Sequence, residues 1–130
     1  ESGLLSYRCD CAGSATPLEV GLRRFLTLDR DDEFVGKAAL LAERESGSAR
    51  RLVKVSLSGD RLASPSEHPW PARDAHGSPV GEVRVAVWSP ALGSNLALAL
   101  VEASAAGSGF TALTPDGDEL VATHLSFFGE

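Results

Sequence analysis

From residue 50 onward, the apolar side chains of this chain recur at every second position. Val53, Val55 and Leu57 alternate with Lys54 and Ser56, and Val83, Val85 and Val87 with Arg84, Ala86 and Trp88. Leu96, Leu98 and Leu100 alternate with Ala97 and Ala99, and Val121, Thr123 and Leu125 with Ala122, His124 and Ser126. A period of two places one row of side chains on each face of an extended strand. Turn-forming clusters separate the runs: Ser58-Gly59-Asp60, His76-Gly77-Ser78-Pro79, Ser89-Pro90, Gly93-Ser94-Asn95 and Pro115-Asp116-Gly117-Asp118. Pro115-Asp116-Gly117 is a strong hairpin signal, because glycine accepts the positive φ that such a turn demands. Short strands at this spacing predict a closed antiparallel barrel or a sandwich.

The first 48 residues have a different character. Leu18, Val20 and Leu22 alternate with Glu19 and Gly21, which predicts a strand, and Phe25, Leu26 and Leu28 extend it. The acidic cluster Asp29–Glu33 ends that run as an exposed turn. Phe34 to about Glu45 is predicted to be a helix, rich in alanine and leucine, with Asp31 or Asp32 capping its N-terminus and Gly47 at its C-terminal end. The small polar stretch Glu45–Arg51 is the best internal boundary.

Composition narrows the partners. The 130 residues suffice for one domain with its own core, and 43% hydrophobic content argues for a folded chain. The formal charge of -6 disfavours duplex nucleic acid and anionic membranes as partners. No apolar run reaches the ~20 residues of a membrane helix. Cys9 and Cys11 form a C-x-C pair, too few ligands for a zinc site and too close for an unstrained mutual disulfide; they are expected to be free thiols in a reducing compartment.

Some residue sets imitate catalytic ones. Ser66, His68 and Asp74 have the residue types of a hydrolytic triad, but nothing nearby predicts a nucleophile turn or an oxyanion hole. Ser64–Asp74 is expected to be a polar loop; a hydrolase here would lose ester cleavage in His68→Ala. Gly107-Ser108-Gly109 lacks the flanking strand and helix of a phosphate-binding loop and is expected to be a turn. His124 lies in a strand run, and Trp70 and Trp88 are expected to pack in the barrel.

Read in order, the short motifs resemble one family. Glu1-Ser2-Gly3-Leu4-Leu5-Ser6-Tyr7, Thr16-Pro17-Leu18-Glu19-Val20-Gly21-Leu22 and Phe34-Val35-Gly36-Lys37 are followed by Arg51-Leu52-Val53 and Val80-Gly81-Glu82-Val83. Ser89-Pro90, Leu92-Gly93-Ser94-Asn95-Leu96, Pro115–Gly117 and Phe127-Phe128 complete the series. Together they resemble the C-terminal part of the glycine-cleavage T-protein (aminomethyltransferase) family, nearest its demethylase and sarcosine/dimethylglycine dehydrogenase branch. Arg84-Val85-Ala86 departs from the family's usual T-S-G, and Ser126 from its usual proline. The chain starts at Glu1 inside the pattern, without an initiator methionine, so it reads as the C-terminal piece of a larger enzyme.

The resemblance implies a mainly β fold: an antiparallel six-stranded, jelly-roll-like β-barrel preceded by a short α+β remnant with one helix. Residues 1–48 would be the end of a folate-binding domain and residues 49–130 the C-terminal barrel capping it. The implied activity is tetrahydrofolate-dependent aminomethyl or methyl transfer in the cytoplasm, with a small-molecule one-carbon donor and with the N-terminal folate domain of the same protein as partner. By motif, Glu1 corresponds to the carboxylate that pairs with the pterin, and Arg30 to an arginine at the ligand site, where a guanidinium suits a carboxylate. The family's catalytic aspartate lies upstream, so no catalytic residue and no metal ligand is expected here, and the fragment alone should neither bind folate tightly nor turn over. The alternative is a non-catalytic β-barrel interaction module, or the tail of a flavin-dependent amine dehydrogenase.

Overall fold

The computed structural model describes residues 5–6, 10–11 and 13–125. Among the described residues, six strands follow a single α-helix, α1 (Lys37–Ser46): β1 (Arg50–Leu57), β2 (Trp70–Arg73), β3 (Pro79–Ser89), β4 (Ser94–Glu102), β5 (Phe110–Leu113) and β6 (Glu119–His124). They close into a barrel in the order β1-β4-β3-β2-β5-β6, with every pairing antiparallel. β2, β3 and β4 form a meander, and β1 returns beside β4 in a Greek-key arrangement. Closure leaves no sheet edge open. The expected six-stranded barrel is therefore the fold.

The register explains how so small a barrel fills. Val53 of β1 lies opposite Ala99 of β4, and Val55 opposite Ala97. On the other side of β4, Val83 and Ala86 of β3 meet the same two alanines. The two alanines of β4 thus face Val53, Val55 and Val83, with Ala86 the one small partner, an alternation of the kind a narrow interior needs. Trp70 and Phe110, both buried, fill the rest, and Ala72 opposite Ala112 makes room between them. Each fully buried large side chain contributes about 1.5–3 kcal/mol. The leucines of β4 point the other way. Leu100 joins Leu52, Val20 and Cys11 in a second cluster outside the barrel, with Leu98 against it. The N-terminal segment lies over this outer face, and both rows of β4 are thereby covered.

Four local expectations are corrected. Residues 18–22 are not a strand but a turn of helical hydrogen bonds, with the Val20 amide donating to the Thr16 carbonyl and Leu22 to Pro17. After it comes a single 3-10 turn, Arg23–Phe25, in place of extended chain. The helix begins at Lys37, not Phe34, and neither Asp31 nor Asp32 caps it. Its N-cap is Gly36 at φ +91°, a left-handed position that turns the chain before the helix can start. Finally, Ser64–Asp74 is not all loop: residues 70–73 are β2, whose Trp70 and Ala72 point inward.

The G-x-V segment of β3 is a close approach between strands. Gly81 has φ +146°, and a Cβ there would sit 2.2 Å from the Leu100 carbonyl oxygen and 2.7 Å from Val101 Cα. Just beyond, the ladder shifts register between Val83 and Val85, so Arg84 is the extra residue of a bulge. Its side chain is nearly buried and pairs with Glu82.

Candidate functional site

The N-terminal segment is built on a capping box. In Thr16-Pro17-Leu18-Glu19 the Thr16 hydroxyl accepts from the Glu19 amide at 3.1 Å, and the Glu19 carboxylate accepts from the Thr16 amide at 3.0 Å. Proline at the first helical position is pre-set for such a turn. The same carboxylate receives two bonds from Arg50 at the start of β1, Nε to Oε1 and Nη2 to Oε2, both 2.9 Å. The Glu19 side chain is 6% exposed and that of Arg50 38%. Burial pushes the Glu19 carboxyl up, but the Arg50 guanidinium and the Thr16 amide outweigh it and hold the group below its ordinary value. Arg50 also donates to the Ser14 carbonyl at 3.0 Å, and the Leu52 amide donates to the Glu19 carbonyl at 2.8 Å. These bonds clamp the segment to the barrel.

Beside this clamp the Cys11 thiol is packed against Val20, Leu52 and Leu100. Burial raises its pKa, Asp10 raises it further, and Arg84 only partly opposes them. A thiol so placed is a poor nucleophile. Cys9 lies outside the described residues.

Past the clamp, residues 21–29 and α1 border a groove of about 710 Å³, lined by Arg23, Arg24, Leu26, Leu28, Asp29 and Arg44 among others. Arg44 of α1 bonds Asp29 at 2.8 Å. Arg24 stacks over the exposed Phe25 ring at 4.8 Å. Arg30 follows directly and is exposed. Its carbonyl accepts from Lys37 Nζ at 2.6 Å, and the Asp32 carbonyl accepts from the same ammonium at 3.0 Å. The buried Lys37 therefore shapes the acidic loop from within, while Asp29 is engaged by Arg44 rather than by Arg30. Glu1 lies outside the described residues, so Arg30 is the one predicted site residue whose surroundings can be given. Sequence reasoning passed over Arg23 and Arg24; their tandem arginines beside an exposed phenylalanine were the available signal.

The other residues singled out have structural roles. Ser66 Oγ accepts from the Ala86 amide at 2.8 Å. Asp74 Oδ1 accepts from the Ser78 and His76 amides at 2.9 and 2.8 Å, and the Ser78 amide leads in holding its carboxyl below the usual aspartate range. With Ser66 tied to β3, Asp74 tied to its own turn and His68 exposed, the three form no triad. Gly107-Ser108-Gly109 lies in the turn between β4 and β5. His124 Nε2 bonds the Ser108 carbonyl at 3.0 Å and meets the edge of Phe110. Trp88 is half-buried with Arg61 above its ring. Asn95, 1% exposed, donates to the Asp60 carbonyl at 2.8 Å and accepts from the Leu62 amide at 3.0 Å, pinning the chain after β1. Among the described residues no three histidine, cysteine or acidic side chains are placed to hold a metal ion. No helix among them is long and apolar enough to cross a membrane.

Residues 50–125 match the family model of the glycine cleavage T-protein C-terminal barrel domain. The chain belongs to that family. Dimethylsulfoniopropionate demethylase of Ruegeria pomeroyi is 38% identical over 130 residues, covering 98% of this chain and 34% of that protein. An aminomethyltransferase of Thermotoga petrophila is 42% identical over 104 residues, covering 80% of this chain and 27% of that protein. In fold, the chain superposes on the crystal structure of glycine cleavage system aminomethyltransferase T from Bartonella henselae with a TM-score of 0.82, at 18% identity, over 97% of this chain and 35% of the other. The chain thus spans about a third or less of the length of these relatives. The demethylase match reaches beyond the barrel into the clamped N-terminal segment.

Proposed function

We propose that this chain is the C-terminal portion of a tetrahydrofolate-dependent one-carbon transferase. Residues 1–48 complete a folate-binding domain, residues 49–130 form the barrel that caps it, and Glu1 and Arg30 contact the folate. The observation that carries the reading is the demethylase match across 98% of the chain, which takes in the Arg30 segment as well as the barrel. The residues present suit such a ligand. Leu26 and Leu28 give the groove beside Arg30 an apolar floor, and Arg23 and Arg24 border it. Guanidinium groups recognise carboxylates with matched geometry.

Tetrahydrofolate would supply the nitrogen that accepts the one-carbon unit from a small-molecule donor in the cytoplasm. The part of this chain is positioning: it holds Arg30 and, by motif, Glu1 on a segment fixed to a rigid barrel. Transfer to a bound acceptor depends on such orientation and on exclusion of water. Calorimetric titration tests the proposal. The chain alone is expected to show no binding of tetrahydrofolate near micromolar concentration, and the longer polypeptide containing it is expected to bind in that range. Micromolar affinity of the isolated chain would overturn the assignment of most folate contacts to upstream residues.

A further inference from the structure

Helix α1 turns cations toward the loop that carries Arg30. Lys37 is the one buried residue of the helix. Arg44 follows seven residues later, about two helical turns, so both lie on one face. Arg44 holds the Asp29 carboxylate at 2.8 Å, just before Arg30. Lys37 Nζ donates to the Arg30 carbonyl at 2.6 Å and to the Asp32 carbonyl at 3.0 Å. Lysine is rarely buried without a partner. Asp29, Asp31, Asp32 and Glu33 all stand nearby in sequence, yet the hydrogen bonds of this ammonium go to main-chain oxygens. Its ion pair is with Glu33, at 3.5 Å, whose side chain is 85% exposed. A pair that exposed adds little. A buried ammonium used in this way fixes the path of the backbone rather than balancing charge. The Arg30 amide in turn donates to the Thr27 carbonyl at 3.4 Å. The Arg30 main chain is therefore held at both its amide and its carbonyl, while the residue itself is exposed. The anchor is fixed as well: Gly36 at φ +91° sets the helix start, and the Lys37 amide donates to the Phe34 carbonyl at 3.2 Å.

We propose that Lys37 is a positioning residue, whose ammonium fixes the Arg30 main chain so that the Arg30 guanidinium meets a carboxylate of tetrahydrofolate in a preset geometry. This rests on the folate-transferase reading, which makes Arg30 a ligand contact. Lys37 acts through Arg30, because its ammonium is buried and its hydrogen bonds are made to the loop. A contact held in place beforehand loses less freedom when the ligand binds.

A double-mutant cycle on the longer polypeptide, read as tetrahydrofolate affinity by calorimetry, tests this. Lys37→Met should weaken binding roughly threefold to tenfold. In an Arg30→Ala background the same substitution should change affinity by less than about twofold. Wild-type affinity in Lys37→Met would overturn the proposal. So would an equal loss in both backgrounds, which would show Lys37 acting by its own charge or on the fold at large. If Lys37→Met does not fold, Lys37→Gln, which keeps a neutral donor, carries the same cycle. Amide relaxation in the 130-residue chain gives a readout without ligand. Order parameters of residues 29–33 should fall from above about 0.8 to below about 0.6 in the Lys37 variant. An unchanged loop with binding that depends on Arg30 refutes the positioning role alone. A loosened loop with binding indifferent to Arg30 refutes the functional reading of Arg30 alone.

Discussion

Glu19→Gln should loosen the N-terminal segment from the barrel. The glutamate accepts three bonds: Arg50 Nε on Oε1, and Arg50 Nη2 with the Thr16 amide on Oε2. A glutamine of the same shape has one oxygen, so in either orientation its NH₂ faces a donor. A broken buried ion pair loses about 3–5 kcal/mol and an exposed one about 0–1. With Glu19 6% exposed and Arg50 38%, the expected loss lies between these, at about 2–3 kcal/mol. At roughly 3–6 °C per kcal/mol for a domain of this size, the melting temperature should fall by about 6–18 °C. Urea denaturation gives the free energy, and a cycle with Arg50→Met isolates the pair from the Ser14 contact. The pH dependence has a definite sign. The Glu19 pKa is depressed in the folded chain, so its contribution is complete above the unfolded value of about 4.3 and is lost as pH falls through the lower folded value. Glu19→Gln should flatten that acid limb. In a Cys9→Ser background, Cys11 should also react faster with a thiol reagent as its cover loosens. A loss below about 0.5 kcal/mol with unchanged Cys11 reactivity would refute the clamp.

Two further substitutions probe the barrel. Gly81→Ala would drive a methyl group into the paired backbone of β4 at 2.2 Å and should destabilise by roughly 3 kcal/mol or more, read by chemical denaturation; a neutral result would contradict the close approach of the strands. Asn95→Ala leaves the Asp60 carbonyl and the Leu62 amide without their partner and should lose about 2–3 kcal/mol, with faster amide exchange at Leu62.

Much of the barrel was legible because its interior repeats at period two and its turns carry proline and glycine. The short strands β2 and β5 were not, since Trp70/Ala72 and Phe110/Ala112 give only two inward positions each. The leucine row of β4 would have been placed inside by hydrophobicity. The interior took the alanines because Val53, Val55 and Val83 already occupy it, and the leucines found cover outside. At Thr16–Leu22 two signals competed. The alternation of Leu18, Val20 and Leu22 suggested a strand, while the T-x-x-E box with proline at its first helical position specified a turn, and the local hydrogen bonds prevailed. The helix start shifted because Gly36 can adopt a backbone that Asp31 and Asp32 do not need to cap. Arg30 could be named from its motif, but its exposure, and the claim of Arg44 on Asp29, depend on contacts between segments far apart in sequence.

The central claim is that the Arg30 segment belongs to a folate site completed by upstream chain. Calorimetric titration of the longer polypeptide with tetrahydrofolate, as wild type and as Arg30→Ala, tests it most directly. The account predicts micromolar binding, weakened about tenfold or more by the loss of one charge-assisted contact. Wild-type affinity in Arg30→Ala, or no binding by either protein, would contradict it.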